Sequence, residues 1–172
     1  MFTLGIDPGL SRCGYGVITR DKKEKTFEVV SAGVLTTPKD APLPERLFDL
    51  SQTLKKIMTD FSPGVVVVER VLFQVNAKTA MSVGQASGLA LVAAAELGIE
   101  VYQYSSNEVK QAIVGYGGAT KVQMQKMVAK LLGLEELPGP FDVADAIGLA
   151  MCHATSANLR LLVGEMGKSV TR

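Results

Sequence analysis

The segment that most constrains the fold of this chain is the run VVVVE at residues 65–69. Four β-branched apolar residues without alternation predict a strand that is covered on both faces, as in the parallel part of an α/β sheet. The helix breakers Ser62-Pro63-Gly64 precede this run, and the acidic Glu69 ends it. The sequence therefore predicts an α/β fold in which a buried strand carries a carboxylate at its carboxyl end.

The segment FTLGIDPG at residues 2–9 predicts a second strand of the same kind. Period-two alternation places Phe2, Leu4 and Ile6 on one face and Asp7 on the other, and Pro8-Gly9 turns the chain. Open α/β sheets usually have their sites at the carboxyl ends of central strands. Asp before Pro-Gly is also an ordinary turn former, so the other acidic residues must decide its role.

The remaining elements complete one domain. Strands over Gly14–Arg20 and Thr26–Thr36 predict an antiparallel meander with the first strand, and a helix near residues 45–61 leads into residues 65–68. That crossover predicts parallel pairing for the valine strand. Further elements are a small-residue helix from about residue 76 to 97, a strand over 100–104, helices from 105 or 106 and from 120, and a final helix from near 142. We expect a domain over residues 1–160 and a flexible tail over residues 161–172.

Composition excludes several classes of protein. The chain has 172 residues, 47% hydrophobic and 20% charged, which fits one globular domain, and its net charge of +1 does not by itself indicate a nucleic-acid partner. Apolar runs are much shorter than the roughly 20 residues of a membrane span, and the charged Asp7 and Arg12 argue against a signal peptide. Cys13 and Cys152 lack metal-ligand spacing, so we expect a cytoplasmic protein.

Four carboxylates form the candidate site: Asp7, Glu69, Asp142 and Asp145. Asp142 and Asp145 are three residues apart and share one face of the first turn of the last helix. Structural alternatives exist for these acids. Glu69 could be a solvated strand end, Asp142 could cap the last helix, and Asp145 could interact favourably with its dipole. Gathered carboxylates repel each other unless a cation lies among them, and oxygen ligands suit Mg²⁺ or Mn²⁺. Two such ions about 4 Å apart can stabilise a phosphodiester displacement.

Basic and apolar residues near these acids predict a nucleic-acid partner. Lys110 and Lys121 flank the Gly-rich loop 115–118, where they could hold phosphates, although solvated helix charge is the alternative. Leu72 and Phe73 follow the valine strand, so one of them could stack on a splayed base or fold into the core. Gly84 and Gly88 lie four residues apart and permit close packing, either within the chain or against a second subunit.

Five segments together resemble the RuvC family of bacterial crossover junction endodeoxyribonucleases. They occur in order between residue 1 and about residue 160, and are much more specific together than singly. The segments are GIDPGLSRCGYGV at 5–17, VVVVER at 65–70, QASGLALVAAA at 85–95, EVKQAIVGYGGATKVQM at 108–124 and DVADAIGLAMCHA at 142–154.

The resemblance implies an RNase H-like fold, a five-stranded mixed β-sheet flanked by α-helices. It implies a homodimer, with the long helix at the interface, that nicks a four-way (Holliday) junction symmetrically. Asp7, Glu69, Asp142 and Asp145 match the catalytic metal-binding positions, and the position of Asp142 can also be histidine in that family. Lys110 and Lys121 match the family's basic DNA-contacting positions, and strict counting aligns the family's aromatic residue with Leu72, one place before Phe73. We also expect Arg70, Leu72 and Phe73 to be DNA-binding residues.

These observations predict a structure-selective endonuclease that resolves Holliday junctions in recombination and DNA repair. It would use two Mg²⁺ or Mn²⁺ ions per active site, and the RuvAB branch-migration complex is the partner that the family implies. Two different functions remain as alternatives. An actin-like phosphotransferase also opens with a strand ending in Asp-x-Gly, but this chain is too short for its second half. A junction-binding protein without catalysis would need the lysines and not the carboxylates, and a related nuclease that acts on RNA is a closer variant.

Overall fold

The computed structural model describes residues 1–21, 26–70 and 77–169, with side chains of the last range described from residue 79 to 156. The strands are β1 (Thr3–Asp7), β2 (Arg12–Arg20), β3 (Phe27–Thr36), β4 (Val65–Glu69) and β5 (Glu100–Tyr104). The helices are α1 (Leu43–Phe61), α2 (Ala77–Glu96), α3 (Ser106–Val114), α4 (Lys121–Leu131) and α5 (Phe141–Ser169).

The five strands form one mixed sheet in the order β3-β2-β1-β4-β5. β1, β2 and β3 pair antiparallel, whereas β4 pairs parallel with both β1 and β5. Helix α1 connects β3 to β4, and this crossover returns the chain parallel to β1. The predicted meander, the parallel valine strand and the five-stranded mixed sheet are confirmed.

Each face of the sheet has its own apolar core. In β4, Val66 and Val68 pack in the core that includes Leu54 of α1 and residues of α2. Val65 and Val67 pack in the opposite core with residues of α3, α4 and α5, including Ile147. Because successive side chains of a strand point to opposite faces, a run of four valines satisfies both cores. The absence of alternation in the sequence has this physical cause.

Local capping fixes where α3 and α4 begin. The Ser105 hydroxyl accepts from the Glu108 amide, and the Glu108 carboxylate accepts from the Ser105 amide at 2.7 Å. Thr120 and Gln123 form the same reciprocal pair at the start of α4. Capping boxes satisfy amide groups that a helix cannot bond internally. They also define the position of Lys121, which follows its capping threonine directly.

The last helix contains the chain's one histidine. His153 is buried, its Nδ1 lies 3.1 Å from the Tyr104 hydroxyl, and its ring packs against Tyr102. This environment agrees with a structural role for His153. Backbone of α5 continues to Ser169, and the predicted boundary at residue 160 stays a prediction. Over the described residues, none of the helices combines the length and apolarity of a membrane span.

Candidate active site

Asp7 and Glu69 lie next to each other at one edge of the sheet. β1 and β4 are parallel neighbours, with Ile6 opposite Val68, so the residue that follows each of these ends its strand at the same edge. Ile6 and Val68 are fully buried. The structure therefore brings together the two strand-end carboxylates that the sequence analysis selected.

The turn that follows Asp7 is held by a polar network from outside the site. The buried Thr37 hydroxyl donates to the Leu10 carbonyl oxygen at 2.6 Å. Arg46 of α1 donates from Nε to the Thr37 hydroxyl oxygen at 3.0 Å and from Nη2 to the Ser11 hydroxyl oxygen at 2.8 Å. Because these bonds join the turn to α1 and to the end of β3, they restrict the backbone directly after Asp7. No local sequence pattern predicted this network.

Helix α5 lies directly on the backbone of β1 and β2 because glycines line the contact. A Cβ atom at Gly5 would overlap the carbonyl oxygen of Ala146, and one at Gly14 would overlap that of Asp142. Glycine permits this close approach of two backbones. The contact brings Asp142 and Asp145 close to Asp7, which pairs with Gly14 in the sheet. The sequence did not reveal this role of the two glycines, which lie on neighbouring strands.

Three of the four carboxylates line one cavity of about 180 Å³. Asp7, Glu69 and Asp145 face this cavity together with Lys110 and Lys121. Ser106, Val109, Met124 and Leu149 complete the lining. The expected cluster of acids with nearby lysines is thus present. The side chain of the fourth acid, Asp142, does not line the cavity.

Burial dominates the electrostatics of the two strand-end acids. Desolvation, followed by the negative charges of Glu69 and Asp145, raises the pKa of Asp7 from 3.8 to about 8. Desolvation also raises the pKa of Glu69, although a hydrogen bond with Asp7 opposes that rise. At pH 7 the Asp7 carboxyl therefore keeps its proton and donates it to Glu69. A proton thus occupies a position among the acids where a cation would be favoured.

The two acids of α5 each have a cationic partner. Burial raises the pKa of Asp145, and Lys121, whose Nζ lies 3.6 Å from Oδ2, opposes that rise. Arg12 donates from Nη2 to Asp142 Oδ2 at 2.8 Å, and this hydrogen bond lowers the pKa of Asp142. Arg12 was not expected to be a site residue, although it lies five positions after Asp7 in the segment GIDPGLSRCGYGV.

The donor set suits hard divalent cations. Carboxylate oxygens are the ligands that Mg²⁺ and Mn²⁺ prefer. Burial is the main reason why the pKa values of Asp7, Glu69 and Asp145 are raised, and a cation among these poorly solvated carboxylates would favour their ionised forms. Among the side chains of residues 1–21, 26–70 and 79–156, no three His, Cys, Asp or Glu groups are arranged to hold an ion. Side chains would therefore have to rotate to complete coordination.

Arg70 and the loop beyond it were predicted to bind DNA. The Arg70 guanidinium is exposed, donates to the Gln103 carbonyl oxygen at 3.0 Å and lies 3.9 Å from the Glu108 carboxylate. Leu72 and Phe73 lie outside the described residues, so the prediction that one of them stacks on a base stays a prediction.

Known proteins are similar to this chain in sequence and in fold. Residues 3–153 match the family model described as crossover junction endodeoxyribonuclease RuvC. The protein of that name from Chloroflexus aggregans is 48% identical over 157 residues, which cover 91% of this chain and 94% of that protein. The structure of Thermus thermophilus RuvC gives a TM-score of 0.85 at 36% identity, covering 92% of this chain and 96% of that one.

A second solved structure is T. thermophilus RuvC in complex with a Holliday junction substrate. It gives a TM-score of 0.83 at 33% identity, again over 92% of this chain and 96% of that one. The expected RNase H-like fold and the expected family are therefore confirmed. The chain belongs to the crossover junction endodeoxyribonuclease RuvC family.

Proposed function

We propose that this chain is a metal-dependent endonuclease that resolves four-way (Holliday) DNA junctions by paired symmetric nicks. The observation that carries the proposal is the cavity in which Asp7, Glu69 and Asp145 face Lys110 and Lys121, in a chain of the RuvC family. An acidic cluster suits divalent cations, and the lysines suit the phosphates of the substrate. The reaction is hydrolysis of one phosphodiester bond per site, leaving a 3′-hydroxyl and a 5′-phosphate that a ligase can rejoin.

Nucleases of the RuvC family depend on metal ions, and we assign two Mg²⁺ or Mn²⁺ ions to each site. Asp7, Glu69 and Asp145 would hold them, and Asp142 would join after its side chain rotates. When bound, such ions lower the pKa of water and stabilise negative charge on the attacking and leaving oxygens.

The chain's own side chains have separate tasks. Lys110 and Lys121 neutralise the scissile phosphate and its neighbour at the cavity wall. The proton on Asp7 must leave before this carboxylate can act as a ligand, because a protonated carboxyl is a poor one. Val109 and Met124 form an apolar part of the wall, which lowers the local polarity and strengthens each charge interaction.

We propose a homodimer that uses the outer face of α2. Among the described residues, apart from the backbone of the helix itself, no atom lies within 4 Å of a Cβ built at Gly84 or Gly88. The glycines therefore leave open space on the helix. On the same helix, Met81 is 67% exposed and Val92 55% exposed. A two-fold dimer through this face would present two equal sites to a nearly symmetric junction, which accounts for paired nicks.

The wider role follows from the family. We propose action on recombination and repair intermediates in the cytoplasm, in coordination with the RuvAB branch-migration complex. Lys110, Lys121 and Arg70 are the described residues to which we assign DNA contacts. Leu72 or Phe73 would stack on a base beside the cut.

The test is cleavage of a synthetic mobile four-way junction by the purified full chain with Mg²⁺ or Mn²⁺. We expect paired nicks at symmetric positions, no cleavage of linear duplex, and a loss of at least about 100-fold for Asp7→Asn because a metal ligand is removed. Normal cleavage by Asp7→Asn would refute the metal assignment. Junction binding without metal-dependent cleavage by the wild-type chain would instead indicate a binding protein.

The basic residues are tested by Lys110→Ala and Lys121→Ala in the same assay, with binding measured in EDTA. Each substitution should weaken junction binding or cleavage. The control is Lys56→Ala, which removes an exposed lysine that pairs with Asp60 on α1. Unchanged behaviour of both cavity variants would show that these lysines are solvated helix charges.

A further inference from the structure

Arg12 contacts one of the four acids of the candidate site from outside the cavity. It is the first residue of β2, and its Nη2 donates to Asp142 Oδ2 at 2.8 Å across 130 positions of the sequence. Asp142 is the one acid of the four whose side chain does not line the cavity. The ion pair therefore accounts for where this carboxylate points.

The backbone at Asp142 cannot easily shift to bring the carboxylate inward. Its carbonyl oxygen lies so close to Gly14 of β2 that a Cβ there would overlap it. Close-packed backbone of this kind permits little displacement. Rotation of the Asp142 side chain is thus the available movement, and the Arg12 guanidinium opposes it.

The pair can be opened by a ligand. The Arg12 side chain is 51% exposed and that of Asp142 26% exposed, so an incoming group can reach the guanidinium. Exposed ion pairs contribute little stability, and a phosphate accepts the guanidinium fork as well as a carboxylate does. A DNA phosphate can therefore replace Asp142 as the partner of Arg12.

We propose that Arg12 is a positioning residue that keeps Asp142 out of the cavity in the free protein and releases it when a DNA phosphate takes the guanidinium. This proposal rests on the proposed function, because it assumes a phosphodiester substrate and a cation among the acids. The released carboxylate of Asp142 then turns toward the cavity and completes the set of oxygen ligands for the cation. Arg12 thereby couples substrate binding to metal binding, so that DNA and metal each raise the affinity for the other.

The test measures Mn²⁺ binding to the full chain without DNA, by titration calorimetry, in the wild type and in Arg12→Gln. Removing the cation frees Asp142, so the Mn²⁺ dissociation constant should fall about three- to fivefold. Junction binding in EDTA should change in the opposite direction, with the slope of log K against log salt reduced by about 1. If Arg12 had a purely structural role, Arg12→Gln would not bind Mn²⁺ more tightly and the junction more weakly.

Lys56→Gln is the control. It removes the same charge from an exposed side chain of α1, and its carboxylate partner Asp60 is not one of the four acids. Its Mn²⁺ affinity should stay within about twofold of the wild type. Arg12→Lys keeps the charge without the planar fork and should lie between the wild type and Arg12→Gln.

The outcomes separate the two proposals. Unchanged or weaker Mn²⁺ binding by both Arg12 variants, beside a wild type whose Mn²⁺ binding requires Asp7, would overturn the role of Arg12 alone. Absence of Mn²⁺ binding by the wild type, with and without junction DNA, would overturn the proposed function itself. An equal gain in Mn²⁺ affinity for Lys56→Gln would also overturn the role of Arg12, because net charge would then explain the gain.

Discussion

Asp7→Asn should stabilise the metal-free protein even though it should abolish cleavage. Burial, together with the neighbouring acids Glu69 and Asp145, raises the pKa of Asp7 from 3.8 to about 8, so the folded protein takes up a proton at neutral pH that the unfolded chain does not hold. The interval between the ordinary pKa of 3.8 and pH 7 is about three pH units, and each unit corresponds to about 1.4 kcal/mol. Protonation of Asp7 therefore costs up to about 4 kcal/mol of folding free energy at pH 7. Asparagine has nearly the same shape and needs no proton.

The sign of this effect fixes its pH dependence. A carboxyl with a raised folded-state pKa contributes stability that is fully present below pH 4 and is lost as the pH rises toward 8. Urea unfolding in EDTA, at one protein concentration, should therefore give similar values for wild type and Asp7→Asn near pH 4. The variant should become more stable by up to about 4 kcal/mol by pH 7.

Asp142→Asn provides the control with the same chemical change in the same site. The ion pair with Arg12 holds the pKa of Asp142 below its ordinary value, so neutralising this carboxyl removes a favourable contact. Its stability should be unchanged or lower at pH 7. If Asp7→Asn were no more stable than the wild type at pH 7, or if its advantage did not grow between pH 4 and pH 7, the assigned burial cost would be wrong.

Three further substitutions test the contacts around the site and the proposed dimer face of α2. Gly5→Ala should destabilise the chain by about 1 to 3 kcal/mol in urea and abolish cleavage, because its Cβ would overlap the Ala146 carbonyl oxygen and push α5 from the sheet. The Cβ of Gly84→Ala would meet no described atom outside its own helix within 4 Å, so helix stability should not fall; sedimentation should show a weaker dimer if α2 forms the interface. Thr37→Val removes the hydroxyl that donates to the Leu10 carbonyl oxygen, and should cost about 1 to 3 kcal/mol and slow cleavage.

Much of the fold could be predicted because its determinants are local. The four valines of β4 alternate between two apolar cores, which is why the sequence shows no polar position there. The helix breakers before β4 and the turn after β1 are likewise set by the residues themselves: Ser62 adopts the left-handed conformation at the end of α1. The strand-end acids Asp7 and Glu69 could be chosen for the same reason, since a strand's boundary is visible in the sequence.

The partners of those acids could not be chosen in this way, because contacts between distant segments leave little trace in a single sequence. Arg12 and Asp142 are 130 positions apart, and nothing near either residue indicates the other. Thr37 reads as an ordinary strand end, yet it holds the turn after Asp7. The role of Gly5 depends on which helix crosses it.

The sequence by itself determined the mixed sheet, the two strand-end carboxylates and the family, because strand periodicity, turn residues and motif order are properties of neighbouring residues. Only the tertiary structure decided that Asp7 holds a proton, that Asp142 turns away from the cavity toward Arg12, and that glycines bring α5 onto the sheet. Burial, close backbone contact and charge pairing act between segments that are far apart in the chain. They exist only after folding has brought those segments together.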